Sequence, residues 1–451
     1  MRRRKFIGNT LAGGALLGGS LAPKSVLAKQ PRQTVQSRET GKYDILLKGG
    51  HVIDPLNNIN SKKMDVAVAN GKISVVGRNI PSTDAKKTID ANGLYVSPGF
   101  IDIHAHGFYS EENTSLRWII FDDHCFPSGV TTVLDVGSSG SGTFEKFKKI
   151  IDRSLVRTFA LINISYSGMN PVGENNPLQF QIPQMVELAK KYPEIIVGFK
   201  TAHYWTNNPY DDFHTPWASV DAVIEAGHRA ELPVMIDMIP RAPQGNFPAR
   251  SRRELILEKL RPGDIDTHCF KPHYVMIDEN GKLRDEIFKA QERGVIFDVG
   301  HGAGSFVWRN AVPAIEQGFL PNSISTDLHS ANTNGKVMTM ANVMSKFLAL
   351  GVSLEDVIRL STTNPAREIN HPELGNLSVG STADIAVFEI LDGKFSYTDV
   401  RGGKNYGSEK LHNIMTLMGG EIVSDPFALG GLYWKDIKDK NYWVNESGQY
   451  W

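Results

Sequence analysis

Between residues 98 and 330 the chain repeats one rhythm, a short apolar, strand-like run followed by a longer stretch with helical spacing. The strand-like runs lie at 98–106, 130–134, 158–164, 195–200, 234–237, 265–269, 295–299 and 323–327. Helix-like stretches such as 184–192, 220–230, 284–292 and 343–350 alternate with or follow them. Eight strands alternating with helices over roughly 250 residues predict an α/β fold, a (β/α)8 TIM-type barrel. A doubly wound open sheet is the structural competitor. The number of strands and the lack of a glycine-rich phosphate fingerprint favour closure.

The flanks have another texture. Residues 43–55, 64–68, 72–76 and 94–97 read as short strands with glycine turns, among them Asn70-Gly71 and Asn92-Gly93, the dipeptide that most strongly signals a hairpin. Similar strands recur at 383–388 and 415–423. The expectation is a small β-sandwich domain built from both flanks, first part 43–97 and second part 370–425, with the barrel at 98–369 inserted. An aromatic tail, 426–451, follows; it carries Tyr433-Trp434, Tyr442-Trp443 and Tyr450-Trp451 and packs on the barrel or on a neighbouring subunit.

Chemistry collects at the strand ends. His104 and His106 alternate along a strand, so both imidazoles project from one face and reach one cation. Later strand-like runs end at or near Asp135, Asn163, Lys200, Asp237, His268, Asp298 and Asp327. Barrel active sites lie at the C-terminal ends of the strands. Polar groups there are costly to bury unless paired or coordinated, so this many at equivalent depth argue for a shared site.

Lys+Arg and Asp+Glu both number 49, a balance that gives no reason to expect nucleic acid or an anionic membrane as the main partner. Cys125 and Cys269 match no zinc-knuckle or redox spacing and read as buried thiols. Residues 1–28 read as a twin-arginine-type signal peptide. Paired arginines precede a weakly apolar stretch too short to span a membrane, and Val26-Leu27-Ala28 forms a cleavage site. That implies the twin-arginine export machinery as a partner and a periplasmic location. Residues 29–42 are a polar linker.

The chain resembles the amidohydrolase superfamily, and more closely its dihydroorotase-like amidohydrolase/deacetylase branch. The resemblance rests on the run from Ser97 to His106, Thr267-His268-Cys269-Phe270, Gly300-His301-Gly302, Ser325-Thr326-Asp327-Leu328-His329, Asn364-Pro365-Ala366, and the return from Gly375 to Gly380 with Ala383-Asp384. It implies a metal-dependent hydrolase in which a metal-activated hydroxide cleaves an amide, a cyclic amide or an acyl ester of a small molecule. By position, His104, His106 and Asp327 would hold one divalent ion, and Lys200, as a bridging carbamate, with His268 a second. The ion is zinc, or manganese, and there are one or two of them. A free ammonium beside two dications is repelled, whereas a carbamate is an anionic bridge. The alternative for Lys200 is a buried lysine neutralised by Asp237.

Asp237 stands where the family usually has histidine. A carboxylate can ligate zinc, but it adds a negative charge, which raises the pKa of bound water and favours a harder ion. Otherwise Asp237 does not ligate and the second position is weak, or His203 substitutes. Asp327 is implied as general base and then general acid. Substrate contacts fall to His301, Asn163, Tyr166, Trp205 and Arg241, the last with Arg250, Arg252 and Arg253 as carboxylate binders or as a solvated charge run. Three readings stay open: the binuclear enzyme, a mononuclear variant, and a non-catalytic scaffold. Homo-oligomerisation is also open.

Overall fold

The computed structural model describes residues 36–38, 40–109, 118–206, 208–241, 244–247, 253–274, 276–437 and 442. The signal peptide, most of the linker and the end of the aromatic tail lie outside the described residues. Among those described, no helix is long and apolar enough to cross a membrane.

Seven strands pair in parallel and in chain order: Phe100–Ala105, Val130–Gly140, Arg157–Asn163, Ile196–Ala202, Val234–Asp237, Ile265–Asp266 and Ile296–Phe297. The eighth position is the extended segment 323–328. It makes isolated parallel bridges on both sides, Ser323 with Asp298 of the seventh position and Leu328 with Ala105 of the first. The Asp327 N–H donates to His104 O at 2.6 Å and the His301 N–H to Ser325 O at 3.2 Å. The ring therefore closes, giving the expected (β/α)8 architecture with an irregular eighth strand.

Side chains from six strands, including Ile101, Ile103, Leu134, Leu161, Val197, Met235 and Ile265, touch one another and so fill the barrel interior; Ala366, Ile369 and Leu374 close them off at one end. The larger apolar cluster lies between the strands and the surrounding helices. Ala218–Ala230 shows how a helix joins it: Val220, Val223, Ala226 and Gly227 are buried at spacings of three and four, as a one-faced helix requires.

Strands from both flanks form a second, mixed sheet of nine strands. They are joined in one branched hydrogen-bonded network, with Tyr43–Asp54 at its centre and Tyr95–Pro98 linking it to the C-terminal strand Ile385–Thr398. Asn70-Gly71 makes the expected hairpin between Ile59–Ala69 and Lys72–Gly77. Asn92-Gly93 does not. The strands on either side of it, Ala85–Asp90 and Tyr95–Pro98, both run parallel to Tyr43–Asp54 and pair with different halves of it. Asp90 accepts from the Asn92 N–H at 2.9 Å, a local turn that carries the chain across the central strand.

Candidate metal centre and active site

His104, His106, Lys200, Asp237, His268 and Asp327 line one cavity of about 310 Å³ at the C-terminal ends of the barrel strands. Each of the three histidines is anchored through Nδ1. His104 Nδ1 lies 2.9 Å from Thr267 Oγ1 and 3.3 Å from Asp298 Oδ2. His106 Nδ1 lies 2.9 Å from Ser138 Oγ, and His268 Nδ1 lies 2.5 Å from the Gly300 carbonyl. A carbonyl only accepts, so His268 carries its proton on Nδ1 and offers a lone pair at Nε2. Such partners fix the tautomer and orientation of ligating histidines.

The opposite nitrogens meet carboxylates. Asp327 Oδ1 is 3.1 Å from His106 Nε2 and 3.7 Å from His104 Nε2, and Asp237 Oδ2 is 3.4 Å from His268 Nε2. Ligand atoms of His104, His268 and Asp327 fall within 4.8 Å of one another. The cluster is close enough to serve as a buried donor set for metal, whether its members meet one ion or two neighbouring ones. Burial, with Lys200 adjacent, lowers the His104 pKa to about 4, which keeps the imidazole in its neutral, ligating form near pH 7. Burial alone would raise the Asp327 carboxyl; His104 and His106 outweigh it and hold the group below the usual carboxylate range.

The backbone here departs from regular strand. His268 (φ 59°) and Asp327 (φ 50°) are both left-handed, a conformation that costs a residue with a Cβ on the order of 1 kcal/mol or more. Asp102 ties the first strand to the eighth, accepting from the Thr326 N–H at 3.0 Å and from Thr326 Oγ1 at 2.5 Å. Asp298 accepts from Thr267, Ser323 and Ser325 hydroxyls, so the residue that braces His104 is itself braced. Two glycines make room. A Cβ on Gly300 would sit 2.6 Å from His268 Nδ1 and 3.0 Å from His104 Nδ1, and one on Gly302 would sit 2.1 Å from Asp327 Oδ2.

Lys200 is buried, and its Nζ has no hydrogen-bond partner. Burial lowers its pKa. An orphaned amine beside this donor set fits a lysine that would be carboxylated if the site held metal. Asp237 makes no hydrogen bond with Lys200, although its charge favours the ammonium. Asp237 instead binds Lys271, whose Nζ is 2.5 Å from Oδ1. Burial would raise the Asp237 carboxyl, but Lys271 and His268 hold it well below its ordinary value. His203, left-handed at φ 56° and half-exposed, lines the same cavity, with Nε2 3.6 Å from Asp237 Oδ2 and Nδ1 3.4 Å from Glu174 Oε2.

The residues expected to contact substrate lie elsewhere. His301 is fully buried and does not line the cavity, with Nε2 2.6 Å from Lys346 Nζ and its ring stacked on Phe306. Asn163 is buried and holds Gly137 O, Glu174 Oε1 and the Ser165 N–H. The ring of Tyr166 covers Gly142. Trp205 stacks on His214 at 3.5 Å and donates to Pro209 O. Arg241 donates to the carbonyls of Trp205 and Asn208, over the Tyr210 ring. Arg250 and Arg252 fall outside the described residues. The cavity wall is instead Met169, Ala202, His203, Ala303, Gly304, Ser305 and His329. Lys271 and Glu174 went unread in the sequence, because nothing in their local pattern separates a buried partner from a solvated charge. His268-Cys269-Phe270-Lys271, a lysine three residues past a candidate ligand, is the one signal that was there.

A closed α/β barrel with a buried cluster of histidines and carboxylates at the strand ends defines a class of hydrolase. The model of the amidohydrolase family matches residues 304–423. A deacetylase of Enterococcus faecalis is 31% identical over 388 residues, 85% of this chain and 100% of the relative. A crystal structure of an adenine deaminase superposes with a TM-score of 0.74 at 28% identity, covering 84% of this chain and 99% of that one. A dihydroorotase structure gives 0.71 at 27% identity, covering 84% and 97%. The chain belongs to the amidohydrolase family.

Proposed function

We propose that the protein is an exported, metal-dependent hydrolase of the deacetylase type, removing an acyl group from a small amide or ester. One observation carries this reading: anchored imidazoles converge on Asp327 beside the partnerless amine of Lys200. The deacetylase relative, matched along its whole length, supports the acyl substrate. His104, His106 and Asp327 would hold one divalent ion, zinc or manganese, and His268 with Asp237 a second, with Lys200 as a carboxylated bridge. Such an ion acidifies water, from a pKa of about 15.7 toward about 7, and polarises a carbonyl.

The chain's own groups do the rest. Asp327 takes a proton from the attacking water and passes it to the leaving nitrogen or oxygen, base and then acid. Gly302 leaves Oδ2 of that carboxylate uncrowded. Ala202, Ala303 and Gly304 present little side-chain bulk, which leaves room for a substrate beside the cluster. Thr267, Ser138 and the Gly300 carbonyl hold the imidazoles through turnover.

The test is metal content of natively folded protein by plasma mass spectrometry, then a hydrolysis screen of N-acyl amino acids, cyclic amides and acyl esters. One or two bound ions with turnover of an acylated compound is the expected result. Metal near zero with no turnover leaves the non-catalytic scaffold. For export, sequencing the mature protein from the periplasmic fraction should find Lys29 first; an intact N-terminus in the cytoplasm would contradict it.

A further inference from the structure

Lys271 is buried at 3% exposure, and its ammonium meets two groups: Asp237 Oδ1 at 2.5 Å and the face of Tyr274, 4.1 Å from the ring centroid. The turn that delivers it is tight. The Lys271 N–H donates to His268 O at 3.0 Å, and Asn310 Nδ2 pins the Lys271 and Tyr274 carbonyls at 2.8 and 2.9 Å. One turn, entered through the left-handed His268, therefore presents an imidazole to the cavity and a cation to the carboxylate next to it.

Taking two charges out of water costs more than an ordinary ion pair returns, so such a pair is a poor device for stability alone. Its effect on Asp237 is specific. Oδ1 is committed to the ammonium, and only Oδ2 faces His268 and His203. The Asp237–Lys271 pair is neutral as a unit, so the wall of the cavity around His268 offers a cation less negative charge than the wall carrying Asp327.

We propose that Lys271 is a positioning residue for the second cation. It makes Asp237 a one-oxygen donor with its charge cancelled, so the His268 side of the site holds its ion more weakly than the His104–His106–Asp327 side. This rests on the metal-dependent reading above.

The experiment titrates metal-stripped full-length protein with Zn²⁺ against a chromophoric chelator, counting ions by native mass spectrometry, with no activity readout. Wild type should show one tight and one weaker ion. In Lys271→Met the second ion should bind at least about tenfold tighter, with the first within about twofold, because an uncancelled carboxylate attracts a dication more strongly. In Asp237→Asn the ammonium faces the cation unopposed, and the second ion should weaken by at least about tenfold; Asp237→Asn with Lys271→Met should recover most of that loss. This reversal of sign does not arise from a packing role. Lys271→Arg, which keeps the charge, should bind like wild type, and comparing it with the double variant carries the test if Lys271→Met does not fold. A second-ion affinity unchanged or weakened in Lys271→Met, or a double variant no better than Asp237→Asn, overturns the inference and leaves the metal-dependent reading standing. Wild type that takes up no ion overturns both.

Discussion

The two ends of the barrel are built on opposite principles. Toward the floor, Leu134, Leu161, Val197, Met235 and Ile265 pack against Ile369 in regular strand geometry. At the mouth the same strands end in histidines, carboxylates and a lysine with no partner, on a backbone that turns left-handed at His203, His268 and Asp327. Apolar contacts toward the floor supply stability. The mouth gives some of it up to hold polar groups apart from water and aimed at one another. Stability and chemistry are thus separated along one axis, and substitutions should sort by depth.

The sharpest division is expected at Asp327. Asp327→Asn should cut turnover about 100- to 10,000-fold with the thermal midpoint nearly unchanged, measured by steady-state kinetics and calorimetry. Retained activity would remove Asp327 from proton transfer and blur the two ends. Lys200 sharpens the contrast further. Lys200→Ala should lose activity and regain part of it with added short carboxylic acids, while Lys200→Met should stabilise the metal-free protein by about 1 kcal/mol or more, since a buried amine without a partner is removed. A change that inactivates and stabilises at once is the mark of a functional mouth.

Toward the floor the pattern inverts. Leu161→Ala should cost about 2–5 kcal/mol in chemical denaturation, with kcat changed little in the fraction that stays folded. The smallest effect is expected at Glu368, which lines a small void with Leu134, Leu161 and Met235. Burial pushes its carboxyl up to about 8, from an ordinary 4.5. A carboxyl raised in the folded state binds its proton more tightly there than when unfolded. Its contribution is therefore complete below about pH 4.5 and is lost as pH climbs through about 8. Glu368→Gln should leave the melting temperature unchanged at pH 4 and raise it by about 2–4 °C at pH 9. Equal shifts at both pH values would mean that the group does not titrate on unfolding.

Much of this was legible in the chain. Alternating apolar runs and helical stretches specify the barrel because strand and helix periods differ, and the polar residue closing each run marks the depth of the mouth. His104 and His106 were readable as a pair because a strand puts alternate side chains on one face. The eighth run was visible although it keeps only isolated bridges. The loops misled. Tyr166, Trp205 and Arg241 follow the right strands, yet their rings and guanidinium pack on neighbouring loop groups rather than line the cavity. Asn92-Gly93 carries the hairpin signal but crosses a strand instead, because Ala85–Asp90 and Tyr95–Pro98 each find a better partner in Tyr43–Asp54.

Local order of residues thus determined the alternation, the strand ends and the candidate ligands, all of which depend on spacing along a single element. Tertiary structure alone decided which charges meet. Lys271 reaches Asp237 across 34 positions, Glu174 reaches His203 across 29, and Lys200 is left without a partner. These pairings depend on where loops from different strands come to rest, and the energy of a buried charge is set by its neighbours in space rather than in sequence.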